Sequence, residues 1–300
     1  MKKFLAFVGL VVLAASTMIV ANEVLNRYLI FSSSNSNPYK MYRLFTNPEK
    51  GEIPILGSSR AEASFAPLEL SEHAFNYGLS GSTARETAFH LKAVLSRNEG
   101  GLVIVNLDPW GLGNGGFLGK YRFVADNSLV KSEPKISLPF IEKVVGVRFH
   151  GETRSNLAEC MNNRLAVTQT MERGAILQRL SRNEEEWAYI ISKCKSSSCA
   201  CNDETREMLG DILAKNTRYE IVFVVSPTAK PWWDKFTGHA ELSELEQWLR
   251  SFPHVHVIDH AGTSNGYALS EFMDLTHLNE KGARRFTKEL KTLLIDLGLL

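Results

Sequence analysis

The apolar run Ile221-Val222-Phe223-Val224-Val225, matched upstream by Leu102-Val103-Ile104-Val105, narrows most what this chain can fold into. Neither run alternates apolar with polar residues, so neither suits a strand with one face in water. Short continuous runs of this kind are strands covered on both sides, as in a parallel sheet between layers of helices. Strands are expected near 53–56, 74–77, 102–107, 219–225 and 254–258, and helices near 83–97, 203–215, 240–250 and 280–297. Their alternation predicts a doubly wound α/β domain with a five-stranded parallel sheet and helices on both faces. Between the third and fourth strands lie about a hundred residues, too many for a structureless loop. Gly111 to Gly119 reads as a mobile glycine-rich loop, and Leu157–Leu180 and Glu184–Ile191 carry helical patterns. A largely helical insertion over about 111–200 is therefore expected.

Two short segments at opposite ends of that domain carry chemistry. Ile53-Pro54-Ile55-Leu56-Gly57-Ser58-Ser59-Arg60 is an apolar run broken by a Gly-Ser-Ser turn, which would lift a hydroxyl to the carboxyl edge of the sheet. Asp274-Leu275-Thr276-His277-Leu278-Asn279 sets a carboxylate three residues before a histidine. One loop can then present both, with Asp274 holding Nδ1–H while Nε2 faces Ser59, the logic of a nucleophile, its base and an orienting acid. Taken singly, the first segment reads as an ordinary turn and the second as a helix start with Asn279 as N-cap.

With Asn76-Tyr77-Gly78-Leu79-Ser80-Gly81-Ser82-Thr83 between them, these blocks stand in the order of the SGNH (GDSL-like) hydrolase superfamily, which the chain resembles over most of 51–300. The resemblance implies a flavodoxin-like sheet, Ser59 as nucleophile, Asp274 and His277 as its partners, and the Ser59 and Gly81 N–H groups as an oxyanion hole. Ser58 stands where that family usually has Asp, and Leu107-Asp108-Pro109-Trp110 replaces Gly-x-Asn-Asp after the third strand. The usual third oxyanion donor is thus missing, and Asn114 on the glycine-rich loop is a candidate replacement, with Asp108 and Trp110 as candidate pocket residues. The wording looks more like the membrane-anchored members that modify cell-envelope polymers than like secreted lipases. An α/β-hydrolase fits less well, although Gly57-Ser58-Ser59-Arg60-Ala61 is one residue from its nucleophile elbow. Here the serine follows the first strand and Asp and His share one turn.

Lys2 and Lys3 precede an uncharged run from Phe4 to Asn22, close to the length a helix needs to cross the hydrocarbon core. Ile19-Val20-Ala21 makes a poor cleavage site, so the reading favours a retained anchor over residues 1–30, helical through Val24, Leu25 and Tyr28. Positive charge before the run places the remainder outside the cytoplasm, on the periplasmic side of an inner membrane. The polar segment Ser32 to Pro38 opens a tether over 31–50, and the α/β domain fills 51–300.

The 34 Lys and Arg balance 33 Asp and Glu, leaving no basic stripe for nucleic acid. Gly111-Leu112-Gly113-Asn114-Gly115-Gly116 lacks the Lys-Ser/Thr and the following helix of a phosphate cradle. Of four cysteines, Cys194, Cys199 and Cys201 cluster and Cys160 stands apart; outside the cytoplasm at least one disulfide in the cluster is expected. His73, His90, His239 and His254 lack metal-ligand spacing, and neither metal nor cofactor is assigned. The expectation is a serine esterase or O-acyltransferase acting on acyl, foremost acetyl, esters of an envelope polysaccharide, with a membrane acyltransferase or export complex as a further candidate partner. The alternative is a non-catalytic polysaccharide-binding or assembly partner that keeps the fold.

Overall fold

The computed structural model describes residues 1–31, 36–113, 117, 121, 124–136, 169–216, 218–261 and 266–300. Helices α1 (Lys2–Phe31) and α2 (Asn37–Thr46) come first. Strand β1 (Ile53–Leu56) leads into α3 (Ser59–Ser64) and α4 (Pro67–Leu70), β2 (Ala74–Asn76) into α5 (Ala84–Leu95), and β3 (Gly101–Asn106) into the short β4 (Gly111–Leu112). Next come α6 (Ser128–Ser132), the hairpin β5 (Gln169–Glu172) and β6 (Ala175–Gln178), α7 (Glu184–Ser192) and β7 (Ala200–Cys201). The chain finishes with α8 (Asp203–Lys215), β8 (Tyr219–Val225), α9 (Lys230–Trp233), α10 (His239–Leu249), β9 (Val255–Asp259), a 3₁₀ turn at Leu269–Glu271 and α11 (Glu280–Asp296).

The chain divides into two compact units. One joins Met1–Thr46 to Gly119–Val167, and the other joins Asn47–Leu118 to Thr168–Leu300. In the first, the Lys2–Asn22 part of α1 has a mean hydropathy of 2.5 and no buried residue. Its 21 residues extend about 32 Å at helical rise, long and apolar enough to cross a membrane. Within the stretch expected as a tether, residues 37–46 form α2 instead. Ser36 Oγ accepts the Tyr39 N–H at 3.2 Å, and Met41 and Leu44 are buried, so a capped amphipathic turn outcompetes extended chain.

The second unit carries the expected sheet. Its order is β2-β1-β3-β8-β9 and every pairing is parallel. Val103, Ile104, Val105, Ile221, Val222 and Val224 are all buried, which is why these strands read as uninterrupted apolar runs. From β1 the chain steps outward to β2, then back past β1 to β3, β8 and β9. Right-handed crossovers running in opposite directions place their helices on opposite faces. Helices α5 and α8 accordingly pack together, and α3 and α4 pack against α11, with Phe65 and Phe286 edge to face at 5.2 Å. The reversal leaves a crevice at the carboxyl ends of β1 and β3, where doubly wound sheets bind ligands.

Two local expectations change. Residues 169–178, read as part of a helix, form an antiparallel hairpin. Its two-residue turn, Arg173-Gly174, has φ of 42° and 89°, the twist that hairpin strands favour. Only glycine fits at 174, since a Cβ there would lie 2.0 Å from the Asn76 carbonyl oxygen. The Arg173 carbonyl in turn accepts the Asn76 N–H at 2.8 Å, covering the β2 edge. Gly111 and Leu112, read as the start of a mobile loop, pair with Ala200 and Cys201 in a small parallel ladder.

The disulfide expected in the 194–201 cluster is not seen among the described residues. The Cys194 thiol is free, with its sulfur 3.7 Å from the Lys195 carbonyl oxygen and 3.9 Å from that of Pro231, while Cys199 is buried beside Gly111. Cys160 lies outside the described residues.

Candidate active site

Ser59 opens α3 directly after β1. Gly57 makes that turn possible: its φ is 146°, and a Cβ there would stand 2.8 Å from Ala61 Cβ and 3.0 Å from Asn106 Cβ. The Ser58 side chain caps α3 by accepting the Arg60 N–H at 3.3 Å. Asn76 pins the other side of the helix, donating Nδ2–H to the Ala61 carbonyl at 2.7 Å and accepting the Gly78 N–H at 2.8 Å.

The structure brings Ser59, His277 and Asp274 together. Ser59 Oγ lies 2.8 Å from His277 Nε2, and His277 Nδ1 lies 2.9 and 3.0 Å from the two Asp274 oxygens. Asp274 Oδ1 also accepts the backbone N–H groups of Thr276 at 2.8 Å and His277 at 2.9 Å and the Thr276 hydroxyl at 3.1 Å. The segment thus folds as a tight carboxylate-centred turn that aims the imidazole at Ser59. Asn279 is at the same time the N-cap of α11, accepting the Gly282 N–H at 3.1 Å, so one segment both starts the helix and places His277 between Asp274 and Ser59.

Burial pushes the Asp274 carboxyl up, but the hydrogen bond and charge of His277 and the two backbone donors outweigh it and hold the group at about 2. A depressed value means that the carboxylate's stabilisation is fully present above the ordinary carboxyl range near pH 4 and is lost as pH falls through about 2. The gap in urea midpoint between wild type and Asp274→Asn should therefore be widest near neutrality and close by about pH 2. A gap of constant size down to that pH would contradict this ionic role.

Gly81, at φ 76°, lies in the turn between β2 and α5, which is tied to the Ser59 turn by the Leu79 N–H donating to the Gly57 carbonyl at 3.0 Å. Among the described residues neither the Ser59 nor the Gly81 N–H has a hydrogen-bond acceptor, so both donors are available. Asn114 lies outside the described residues. An amide does stand at the end of β3, in Asn106, but its Nδ2–H donates to Asp108 Oδ1 at 3.0 Å.

Asp108 lies within electrostatic reach of the Ser58 hydroxyl, so a carboxylate from the end of β3 stands near the position where the resembled family carries Asp on the β1 turn itself. Desolvation raises the Asp108 carboxyl above its ordinary value, partly opposed by Arg60, Ser58, His277 and Asn106.

Arg60 is the functional residue that sequence reasoning missed. Its side chain is wholly buried and stitches the site together: Nε donates to the Thr276 carbonyl at 3.1 Å, and Nη2 to the carbonyls of Ser226 at 2.5 Å and Pro227 at 3.3 Å. Its guanidinium carbon sits 5.6 Å from the centre of the Trp110 ring. Burial lowers its pKa to about 10, offset by Asp108, Asp274 and Asp259, so it stays charged at neutral pH. A charged residue directly after Ser59, amid small residues of a buried helix, is the one signal of this in the sequence.

Among the described residues no three His, Cys, Asp or Glu side chains converge as a metal site would require. No family model matches the chain, and neither does any curated protein.

Proposed function

We propose that this chain is an SGNH-type serine esterase or acyltransferase that works through an acyl-Ser59 intermediate. The observation that carries the reading is the unbroken Ser59–His277–Asp274 relay at the carboxyl edge of the sheet, with hydrogen bonds of 2.8 and 2.9 Å. His277 Nε2 takes the proton as Ser59 Oγ attacks the ester carbonyl, while Nδ1–H stays on Asp274 and the carbonyl oxygen becomes an oxyanion facing the Ser59 and Gly81 N–H groups. Collapse breaks the bond to the alcohol, which leaves with the proton held on His277. A water or a sugar hydroxyl then gives its proton to His277, attacks the acyl-serine, and frees Ser59.

The apolar helix α1 supports attachment to a membrane, and Lys2 and Lys3 before it support a domain outside the cytoplasm, on the periplasmic side of an inner membrane. That placement makes acylated envelope polysaccharide the substrate class, and a membrane acyltransferase or export complex the neighbouring machinery. Detergent-extracted full-length protein should hydrolyse p-nitrophenyl esters and release acyl groups from acylated envelope polysaccharide, and Ser59→Ala should do neither. Equal release by wild type and Ser59→Ala would remove the reading.

A further inference from the structure

Within the unit that holds the triad lies a cavity of about 230 Å³ that the mechanism above leaves unused. Part of its lining is polar and comes from segments that neighbour the nucleophile turn. Ser82 follows Gly81, Asn106 packs so close to Gly57 that a Cβ there would stand 3.0 Å from its own, and Asp108 lies within electrostatic reach of Ser58. Ser82 Oγ and Asn106 Oδ1 are both buried and without a hydrogen-bond partner. The rest of the lining is mostly apolar. Ala84, Ala88 and Leu91 present one face of α5 at helical spacing, Leu209 faces them from α8, Phe223 supplies the floor on β8, and Leu112 of β4 closes the side.

The enclosure is built firmly. Arg85 on α5 and Glu204 on α8 form a two-pronged ion pair, both contacts at 2.9 Å, and β4 is held by the Ala200 N–H donating to the Trp110 carbonyl at 2.9 Å. Leu91, Leu209 and Phe223 are buried within the fold and offer no charge to a ligand. An uncharged chain is what such a lining favours.

We infer that this cavity receives the acyl chain of the ester, so that the preferred acyl group has roughly four to eight carbons and is not acetyl. The inference deepens the proposed esterase or acyltransferase reading and rests on it. A methylene occupies about as much space as a water, close to 30 Å³, so the cavity accommodates about seven such groups. A carbonyl held at Ser59 would send its chain past Ser82 and Asn106 into the apolar end, where each methylene buried raises kcat/KM about fourfold, at roughly 0.8 kcal/mol. Ala88 and Leu209 set the depth.

The test uses full-length protein in detergent with p-nitrophenyl esters from two to twelve carbons. We expect kcat/KM to climb from acetate to a maximum between four and eight carbons and then fall. Ala88→Leu should move the maximum toward acetate and Leu209→Ala toward longer chains. A maximum at acetate with a steady fall thereafter overturns the inference while leaving the esterase reading intact. Octanoate binding to Ser59→Ala, followed by tryptophan fluorescence because Trp110 lines the cavity, reads the same pocket without catalysis. Saturable quenching that is lost in Ala88→Leu supports the pocket even if every ester proves inert, an outcome that would sink only the esterase reading. No saturable binding in any variant overturns the pocket.

Discussion

Replacing His277 by Ala should lower the hydrolysis of p-nitrophenyl esters by about ten-thousand- to million-fold, and Ser59→Ala should do the same. The size follows from the geometry. Ser59 Oγ has its base at 2.8 Å, and without that imidazole a serine hydroxyl is a weak nucleophile at neutral pH. The two losses should not add, because each variant disables the same proton transfer. Asp274→Asn should cost about ten-thousand-fold with little change in fold, since an amide beside Nδ1 would favour the wrong tautomer. Stopped-flow or overnight assays of the purified variants check all three. A residual rate within tenfold of wild type for either Ser59→Ala or His277→Ala would favour the non-catalytic partner in glycan binding or assembly.

Arg60→Ala should destabilise the protein by about 3–5 kcal/mol, the range for breaking a buried charged network by deleting one member. The guanidinium is wholly buried and bonds three backbone carbonyls, at Thr276, Ser226 and Pro227, which join the Ser59 helix to the ends of β8 and the histidine turn. Truncation leaves those carbonyls short of a donor and Asp108 without its opposing charge. Lysine cannot restore the planar fork, so Arg60→Lys should recover only part of the loss. Urea denaturation measures the change, and kcat should fall as well, because the Thr276 carbonyl is one residue from the imidazole. A shift below about 1 kcal/mol would mean that the buried guanidinium does not hold the site together.

The parts of this fold legible in the sequence are those whose signal is local. Strands buried on both faces need no alternation, so Ile53–Leu56 and Tyr219–Val225 stand out as apolar runs, whereas the helices Ser59–Ser64, Pro67–Leu70 and Lys230–Trp233 that follow them are too short to show a period and fall outside the expected helices. The hairpin at 169–178 escaped because its turn is Arg173-Gly174, not Asn-Gly or Asp-Gly, and its apolar residues fall at spacings that a helix also produces. Helix α2 was hidden by the polar serines and asparagines before it.

The candidate site divides along the same line. Ser59, Asp274 and His277 sit in compact segments whose order in the chain already suggests the relay. Arg60 and Asn76 act through backbone carbonyls elsewhere in the chain, which have no side-chain identity to read. Ser58 and Asp108, taken separately, look like departures from the resembled family. In space they are neighbours, and the Ser58 hydroxyl helps oppose the upward shift of the Asp108 carboxyl.

The central claim is that Ser59 carries the acyl group. Intact-mass and peptide-mass analysis of full-length protein treated with a fluorophosphonate tests it most directly. One adduct per chain is expected, on the peptide containing Ser59, formed rapidly in wild type, slowly in His277→Ala and not at all in Ser59→Ala. Wild-type protein that stays unmodified, or an adduct that persists in Ser59→Ala, would contradict it.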